Sequence, residues 1–397
     1  MSVFRSRALM SFAAGVLITL PLAVAATAQA SPEGGGRSFS YAVYGDAPYG
    51  TSPTDTTETD ATPGFIAKVN ADPAVSAVVH VGDIHSGSQW CIEAYDRQIA
   101  ALWTSFADPM VYTPGDNEWA DCHKKKEGGG TYDPASGTIK YVTDGGGTPV
   151  DYASGNPVAN LALIRSIFFP QAGATLGSGA LSVLSQAQVD DSAHPEDSQY
   201  VENVMWQRKG VVFVTVNLPG GSNNDADPWY GVPTASADQT SEAAQRTAAD
   251  LRWIDRAFAQ AEAQDAQGVV VALQADMWDR DGGTTNAHLT NYEPFVAALA
   301  AHTTALGKPV LLLNGDSHVF RSDNPLQQGS SCIGDNGVCS FDAWQAHPSY
   351  DVPNFHRIVV HGSTVPLEYL RLTITPGAHG PATANSFGPF SWTRVTD

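Results

Sequence analysis

The chain is predicted to be an α/β protein, and three observations lead there. Short β-rich runs alternate with helical segments along most of its length. Several of the runs are apolar throughout, as in strands covered on both faces. Four of them end in the same dipeptide, Gly-Asp. The composition allows a large core: of 397 residues, 43% are hydrophobic and 9% aromatic, too apolar for a disordered chain. No internal repeat stands out beyond the strand-Gly-Asp pattern. One large domain with long surface loops, residues 31–397, is expected.

The elements follow in order. Arg5 and Arg7 precede an uncharged stretch from Ala8 to Ala30 that ends Ala28-Gln29-Ala30. A charged start, an apolar middle and a small-residue end predict that residues 1–30 are a signal peptide; the stretch is long enough to span a bilayer as a retained anchor, but Pro21 and the small-residue end favour cleavage, after which no stable membrane anchor is expected. Strands are expected at Phe39 to Tyr44, ending Gly45-Asp46, and at Ala77 to Val81, ending Gly82-Asp83. Two more are expected at Met110 to Pro114, ending Gly115-Asp116, and at Val310 to Asn314, ending Gly315-Asp316. Val211 to Val216 and Gly268 to Leu273 read as buried strands. Helices are expected at Phe65 to Asn70, Ile92 to Phe106, Ala243 to Ala263 and Tyr292 to Leu306. The third of these carries Leu251, Ile254, Ala257 and Phe258 at helical spacing. Residues 127–156, with Gly128-Gly129-Gly130 and Gly145-Gly146-Gly147, read as a Gly-rich loop insertion. Residues 171–199 are similarly loop-like.

Charge and cysteines narrow the class. Lys and Arg total 21 against 41 Asp and Glu, a formal charge of −20. Nucleic acid is not an expected partner, because it needs basic patches. An exported chain with four cysteines suggests disulfides. Three pairings exist, and Cys91 with Cys122 and Cys332 with Cys339 are the expected one. The latter pair flanks a turn-rich hairpin. His80, His356 and His361 sit in apolar strand text and read as satisfied core or edge histidines.

The Gly-Asp endings carry the chemistry. In open α/β sheets ligands gather outside the carboxyl ends of strands, and glycine lets the backbone turn tightly there. Several carboxylates at that edge would repel one another by several kcal/mol, about 4 kcal/mol per pair at 4 Å and an effective dielectric near 20. A cation relieves this. The pattern therefore predicts a metal site from Asp46, Asp83, Asp116 and Asp316, with His318 on the same face of an extended chain.

The order Gly45-Asp46, Gly82-Asp83, Pro114-Gly115-Asp116-Asn117-Glu118, a polar strand end at Gln274, then Gly315-Asp316-Ser317-His318 resembles the calcineurin-like metallophosphoesterases. Their pattern is D-x-H, G-D, G-N-H-E/D, H and G-H-x-H. Ala248-Ala249-Asp250-Leu251-Arg252-Trp253-Ile254 resembles the helix before that family's fourth motif. The resemblance covers about Phe39 to His318, with the strands after Asn354 fitting a second sheet. It implies a two-sheet β-sandwich flanked by helices, a two-metal centre and hydrolysis of phosphate mono- or diesters, so a phosphorylated small molecule is the expected substrate. Asp83 would bridge the metals. Asp46 and His318 would complete one shell, and Asp116, Gln274 and Asp316 would serve the other.

The departures from that pattern share a direction. The first motif is Asp46-Ala47-Pro48, without its His; Asp116-Asn117 stands for Asn-His; Gln274 and Asp316 each replace a His. Oxygen donors thus replace imidazoles, and such a shell favours Mn, Mg or Ca over Zn. Asn117 can donate a hydrogen bond to the transferred group but cannot protonate a leaving group. His85, two residues past Asp83, is read either as a replacement imidazole or as a plain surface histidine. Arg321 is a candidate for holding substrate anion. Lys124-Lys125-Lys126 either does the same or is a solvated loop. Two functions compete: a metal-dependent phosphoesterase, and a non-catalytic exported binding protein that keeps the fold.

Overall fold

Alternation along the strands decides the architecture. In Phe39–Tyr44, Tyr41 and Val43 face one way and Ala42 and Tyr44 the other, and all four are buried. In Val211–Thr215, Val211 and Phe213 oppose Val212 and Val214, again all buried. Strands covered on both faces must lie inside a layered structure. A computed structural model describes residues 37–224, 227–280, 287–337, 339 and 341–396; the expected signal peptide lies outside them. Tyr41, Val43, Phe213, Leu311, Leu313 and Leu372 pack between two sheets. Ala42, Tyr44 and Val78 pack outward on helices Thr57–Asn70, Glu93–Trp103 and Pro157–Phe168, through Phe65, Trp103 and Phe168. Val212, Val271 and Leu312 pack on helices Ala237–Ala263 and Glu293–Leu306, through Trp253, Phe258 and Phe295. The fold is a two-sheet sandwich flanked by helices, as expected.

Among the described residues the first sheet runs in the order Gly380–Thr383, Ser386–Gly388, Phe390–Val395, Tyr369–Ile374, Phe39–Tyr44, Val75–His80 and Met110–Tyr112. The last three strands are parallel. The second sheet runs Ile333–Gly334, Arg321–Asp323, Phe355–Val359, Val310–Asn314, Gly268–Ala272, Val211–Thr215, Val204–Arg208 and Leu184–Ser185. Its four central strands are parallel. The expected strands are therefore present, and the parallel ones of both sheets deliver their Gly-Asp endings to one end of the sandwich.

Two readings need correction. The helix expected at Phe65 to Asn70 begins at Thr57. Pro63 hides it in the sequence, but the helix carries the proline, with Glu58 and Asp60 in its first turn, where carboxylates meet the positive helix end. Residues 127–156 are more than a loop: Gly130–Asp133 and Thr138–Tyr141 form an antiparallel hairpin. Its turn closes through the Gly137 N–H on the Asp133 carbonyl at 2.8 Å. Backbone bonds between Tyr152 and Cys91 and between Cys91 and Glu127, 2.9 and 3.3 Å, dock it to the body.

Candidate metal centre

Three of the four Gly-Asp endings, those at Asp46, Asp83 and Asp316, reverse sharply, and so does the chain at His318. Asp46, Asp83, Asp316 and His318 have φ of 49°, 62°, 76° and 55°. Side chains other than glycine rarely occupy this left-handed region, and each such residue costs on the order of 1 kcal/mol or more. The extended chain expected between Asp316 and His318 is thus replaced by two tight turns. Glycine is needed beside these aspartates because the strand ends crowd together. A Cβ on Gly115 would sit 1.9 Å from Asp83 Oδ1, and one on Gly315 would sit 2.2 Å from Asp46 Oδ2.

The side chains converge as follows. Asp46, Asp83 and His318 each offer a ligand atom within 4.8 Å of the others. His318 Nε2 lies 3.3 Å from Asp46 Oδ1. Asp46 Oδ1 also accepts the Asp316 N–H at 2.8 Å, while Asp46 Oδ2 is buried without a hydrogen-bond partner. Asp83 is crowded with donors. Tyr49 Oη, Asn117 Nδ2 and Gln274 Nε2 reach its Oδ2 at 2.8, 3.1 and 3.2 Å, and the Asn117 N–H reaches Oδ1 at 3.2 Å. Gln274 Nε2 also donates to Asp116 Oδ1 at 2.8 Å, and its Oε1 accepts the Gly220 N–H. Asp316 Oδ2 accepts the Asp276 N–H at 2.8 Å. Glu118 Oε1 closes the third motif by accepting the Gly115 and Asp83 N–H groups at 2.6 and 3.3 Å.

Electrostatics follow from this crowding. Burial, then the charges of Asp116, Glu118, Asp46 and Asp316, push the Asp83 carboxyl well above its usual range. Burial and then Asp121 push Asp116 up to about 7. Asp316 rises well above its usual range through burial and Asp116. Burial, with Asp83 and Asp46 nearby, keeps the Tyr49 phenol protonated and donating. Burial depresses the His318 imidazole, but the hydrogen bond and charge of Asp46 outweigh it, and the net shift is upward. Carboxylates this close, with one buried oxygen unpartnered, are the donor chemistry a divalent cation satisfies.

Other expected residues stand elsewhere. His85 is fully buried, which excludes the surface reading. Its Nδ1 faces the Ser86 carbonyl at 3.2 Å, its ring meets Tyr95 edge-on, and burial depresses it to about 4. It is not in the Asp46–Asp83–His318 group, because the chain turns at Asp83 instead of running on extended. Arg321 is buried with its guanidinium 3.9 Å over the Phe341 ring and 3.9 Å from Asp323. Lys124 pairs with Asp121, while Lys125 and Lys126 are exposed. Both expected disulfides are present, with Cα separations of 5.7 Å for Cys91–Cys122 and 5.6 Å for Cys332–Cys339. Two features escaped the sequence reading. Tyr49 has no periodic or motif signal. Arg357 bridges Asp276 and Asp323 behind the centre, and no local pattern joins residues so far apart.

No protein-family model matches the chain, and no curated protein matches it. Among solved structures it is similar to the purple acid phosphatase PPD1 isolated from yellow lupin (Lupinus luteus) seeds, with a TM-score of 0.37 and 11% identity. That match covers 91% of this chain and 48% of the other, so the chain spans about half the phosphatase's length.

Proposed function

We propose that the chain is an exported, metal-dependent phosphoesterase that hydrolyses a phosphate mono- or diester of a small molecule. The observation that carries this reading is the convergence of Asp46, Asp83, Asp116, Asp316 and His318 at one end of the two-sheet sandwich, with Asp46 Oδ2 buried and unpartnered. Asp46, Asp83 and His318 would hold one divalent ion; Asp116 and Asp316, with Gln274, would hold a second less tightly. The oxygen-rich set suits Mn, Mg or Ca better than Zn. A divalent ion there supplies Lewis-acid charge stabilisation and makes a water nucleophilic near neutral pH. The chain's own groups do the rest. Asn117 Nδ2 and Tyr49 Oη both donate to Asp83 Oδ2, so they hold the shared carboxylate in place, and either would orient a phosphoryl oxygen only by giving up a bond it now makes. Since Asn117 has no proton to give up, substrates with good leaving groups are favoured. Two disulfides, and the absence among the described residues of a helix able to cross a membrane, fit the export reading.

A second reading, a non-catalytic binding protein, has a specific observation in its favour. The Gln274 amide donates to both Asp83 and Asp116, and its oxygen is already engaged by Gly220. The second half of the centre would then be closed without an ion. Metal-stripped protein assayed on an activated aryl phosphate mono- and diester, with Mn, Mg, Ca or Zn added back, separates the readings. Restoration by Mn, Mg or Ca is expected. Ion binding without turnover of either ester supports the binding protein. No ion uptake by calorimetry defeats the metal centre itself.

A further inference from the structure

Beside the proposed centre lies an ion cluster, buried at His361 and Glu368 and partly exposed at Asp335 and Arg394, that the proposed chemistry does not use. His361 follows the Phe355–Val359 strand, which runs parallel to the strand that delivers Asp316. Its ring is 3% exposed, and both nitrogens face carboxylates. Nε2 pairs with Asp335, and Nδ1 lies 2.8 Å from Glu368 Oε1. Arg394 completes the cluster, 3.1 Å from Glu368 and 3.4 Å from Asp335, and the Phe320 ring covers it. Asp335 lies within the loop closed by Cys332–Cys339.

The segment after His361 supports the centre directly. A Cβ on Gly362 would sit 2.4 Å from Asp46 Cβ, so this backbone packs against the Asp46 side chain. Thr364 Oγ1 donates to the His318 carbonyl and lies 3.0 Å from the His361 carbonyl. Asp46 and His318 are two of the residues held in left-handed conformations, which persist only where the surroundings enforce them. A continuous chain of contacts thus runs from the disulfide hairpin through Asp335, His361 and residues 362–364 to the Asp46 side chain and the His318 backbone.

We infer that His361 is a positioning residue for the metal centre: clasped between Asp335 of the disulfide hairpin and Glu368, it fixes the segment that props Asp46 and His318. The inference rests on the metal-centre reading above. Partners that orient ligands in this way typically govern metal affinity by roughly 10- to 100-fold. The hairpin disulfide is half-buried at both cysteines, so its integrity should be felt at the metal through Asp335 and His361.

The test is Mn²⁺ titration calorimetry on wild type, His361→Gln, Asp335→Asn and the Cys332→Ser/Cys339→Ser pair, which leaves Cys91–Cys122 intact. Each variant should bind Mn²⁺ at least roughly 10-fold more weakly. The cysteine pair combined with His361→Gln should lose no more than His361→Gln alone, because both act through one path. A merely structural role would add the losses and lower the melting temperature in step. Asp335→Asn, on the exposed hairpin, carries the test if His361→Gln does not fold. Wild-type affinity in Asp335→Asn and in the cysteine variant, or additive losses, overturns the inference while the centre stands. Wild type that binds no Mn²⁺ defeats the centre and the inference together.

Discussion

Asp46, Asp83 and His318 on one side of the proposed centre, and Asp116, Gln274 and Asp316 on the other, all stand in turns that follow parallel strands at the same end of the sandwich. They are finished differently. The first half keeps an imidazole, brings three ligand atoms within 4.8 Å and leaves Asp46 Oδ2 unpartnered. In the second half an amide donates across to Asp116 and Asp83, and the Asp276 N–H satisfies Asp316. One half is short of positive charge; the other has covered part of that deficit with its own donors. A centre of this kind should bind its two ions unequally, the first tightly and the second weakly.

The largest effect that can break this comparison is expected at Asp83, the residue shared by both halves. Asp83→Asn removes the charge both ions need, so Mn²⁺ affinity and turnover should each fall by at least ~100-fold. The same change removes a buried, donor-crowded carboxyl from a cluster of like charges. The metal-free variant should therefore be as stable as wild type or more so, by roughly 1 kcal/mol. Denaturant unfolding in chelator, beside calorimetry, reads both. A variant that loses stability and keeps its metal would show that Asp83 is structural.

Protons report on the same deficit. Asp83, Asp116 and Asp316 titrate higher in the folded protein than in the unfolded chain. Their contribution to the metal-free protein is full below the usual carboxylate range and is lost as pH rises toward about 7, where Asp116 ionises. Metal-free stability should therefore fall as pH rises through that window. Metal needs the ionised carboxylates, so the stabilisation by Mn²⁺ should grow over the same window and release protons. Melting temperatures in chelator and in Mn²⁺ should diverge with rising pH; parallel curves would mean the carboxylates are not the ligands.

Gln274 decides whether the second half is closed. Gln274→His offers an imidazole where the amide now donates, and should tighten the weaker ion by roughly 10-fold. Losing two hydrogen bonds to Asp83 and Asp116 should cost the metal-free protein about 1 kcal/mol. If uptake stays at one ion, Asp116 and Asp316 do not form a second site and the binding-protein reading gains.

The two halves were not equally legible in the sequence. The strands and their Gly-Asp endings could be read because alternation and apolar runs are local signals, and so Asp46, Asp83, Asp116 and Asp316 were named together. What the donors do could not be read. Tyr49 reaches Asp83 across the turn after Asp46, and Gln274 faces the carboxylates with its nitrogen because Gly220, far away in sequence, holds its oxygen. Arg321 looked like an anion ligand by its distance from His318. The antiparallel strand Arg321–Asp323 instead carries it to Phe341 and Asp323. The insertion at 127–156 looked featureless because its hairpin has few aliphatic residues, and its pairing is visible only in the backbone.

The smallest expected effect separates the basic run that follows the second half. Lys124 is half-exposed, pairs with Asp121 and lies close enough to help offset the rise at Asp116. Lys125 and Lys126 are exposed, and such surface charges usually contribute within about 0.5 kcal/mol. Lys124→Ala leaves Asp121 beside Asp116 without its cation, so the weaker ion should bind more tightly by a few-fold, on the order of 1 kcal/mol. If Lys124 also meets the substrate, its KM should rise in the same variant. Lys125→Ala should change neither ion affinity nor turnover, and should only flatten the dependence of KM on salt. Lys125→Ala matching Lys124→Ala in ion affinity would mean that the run acts through its overall field; a difference between them would localise the effect at the Asp121–Asp116 pair.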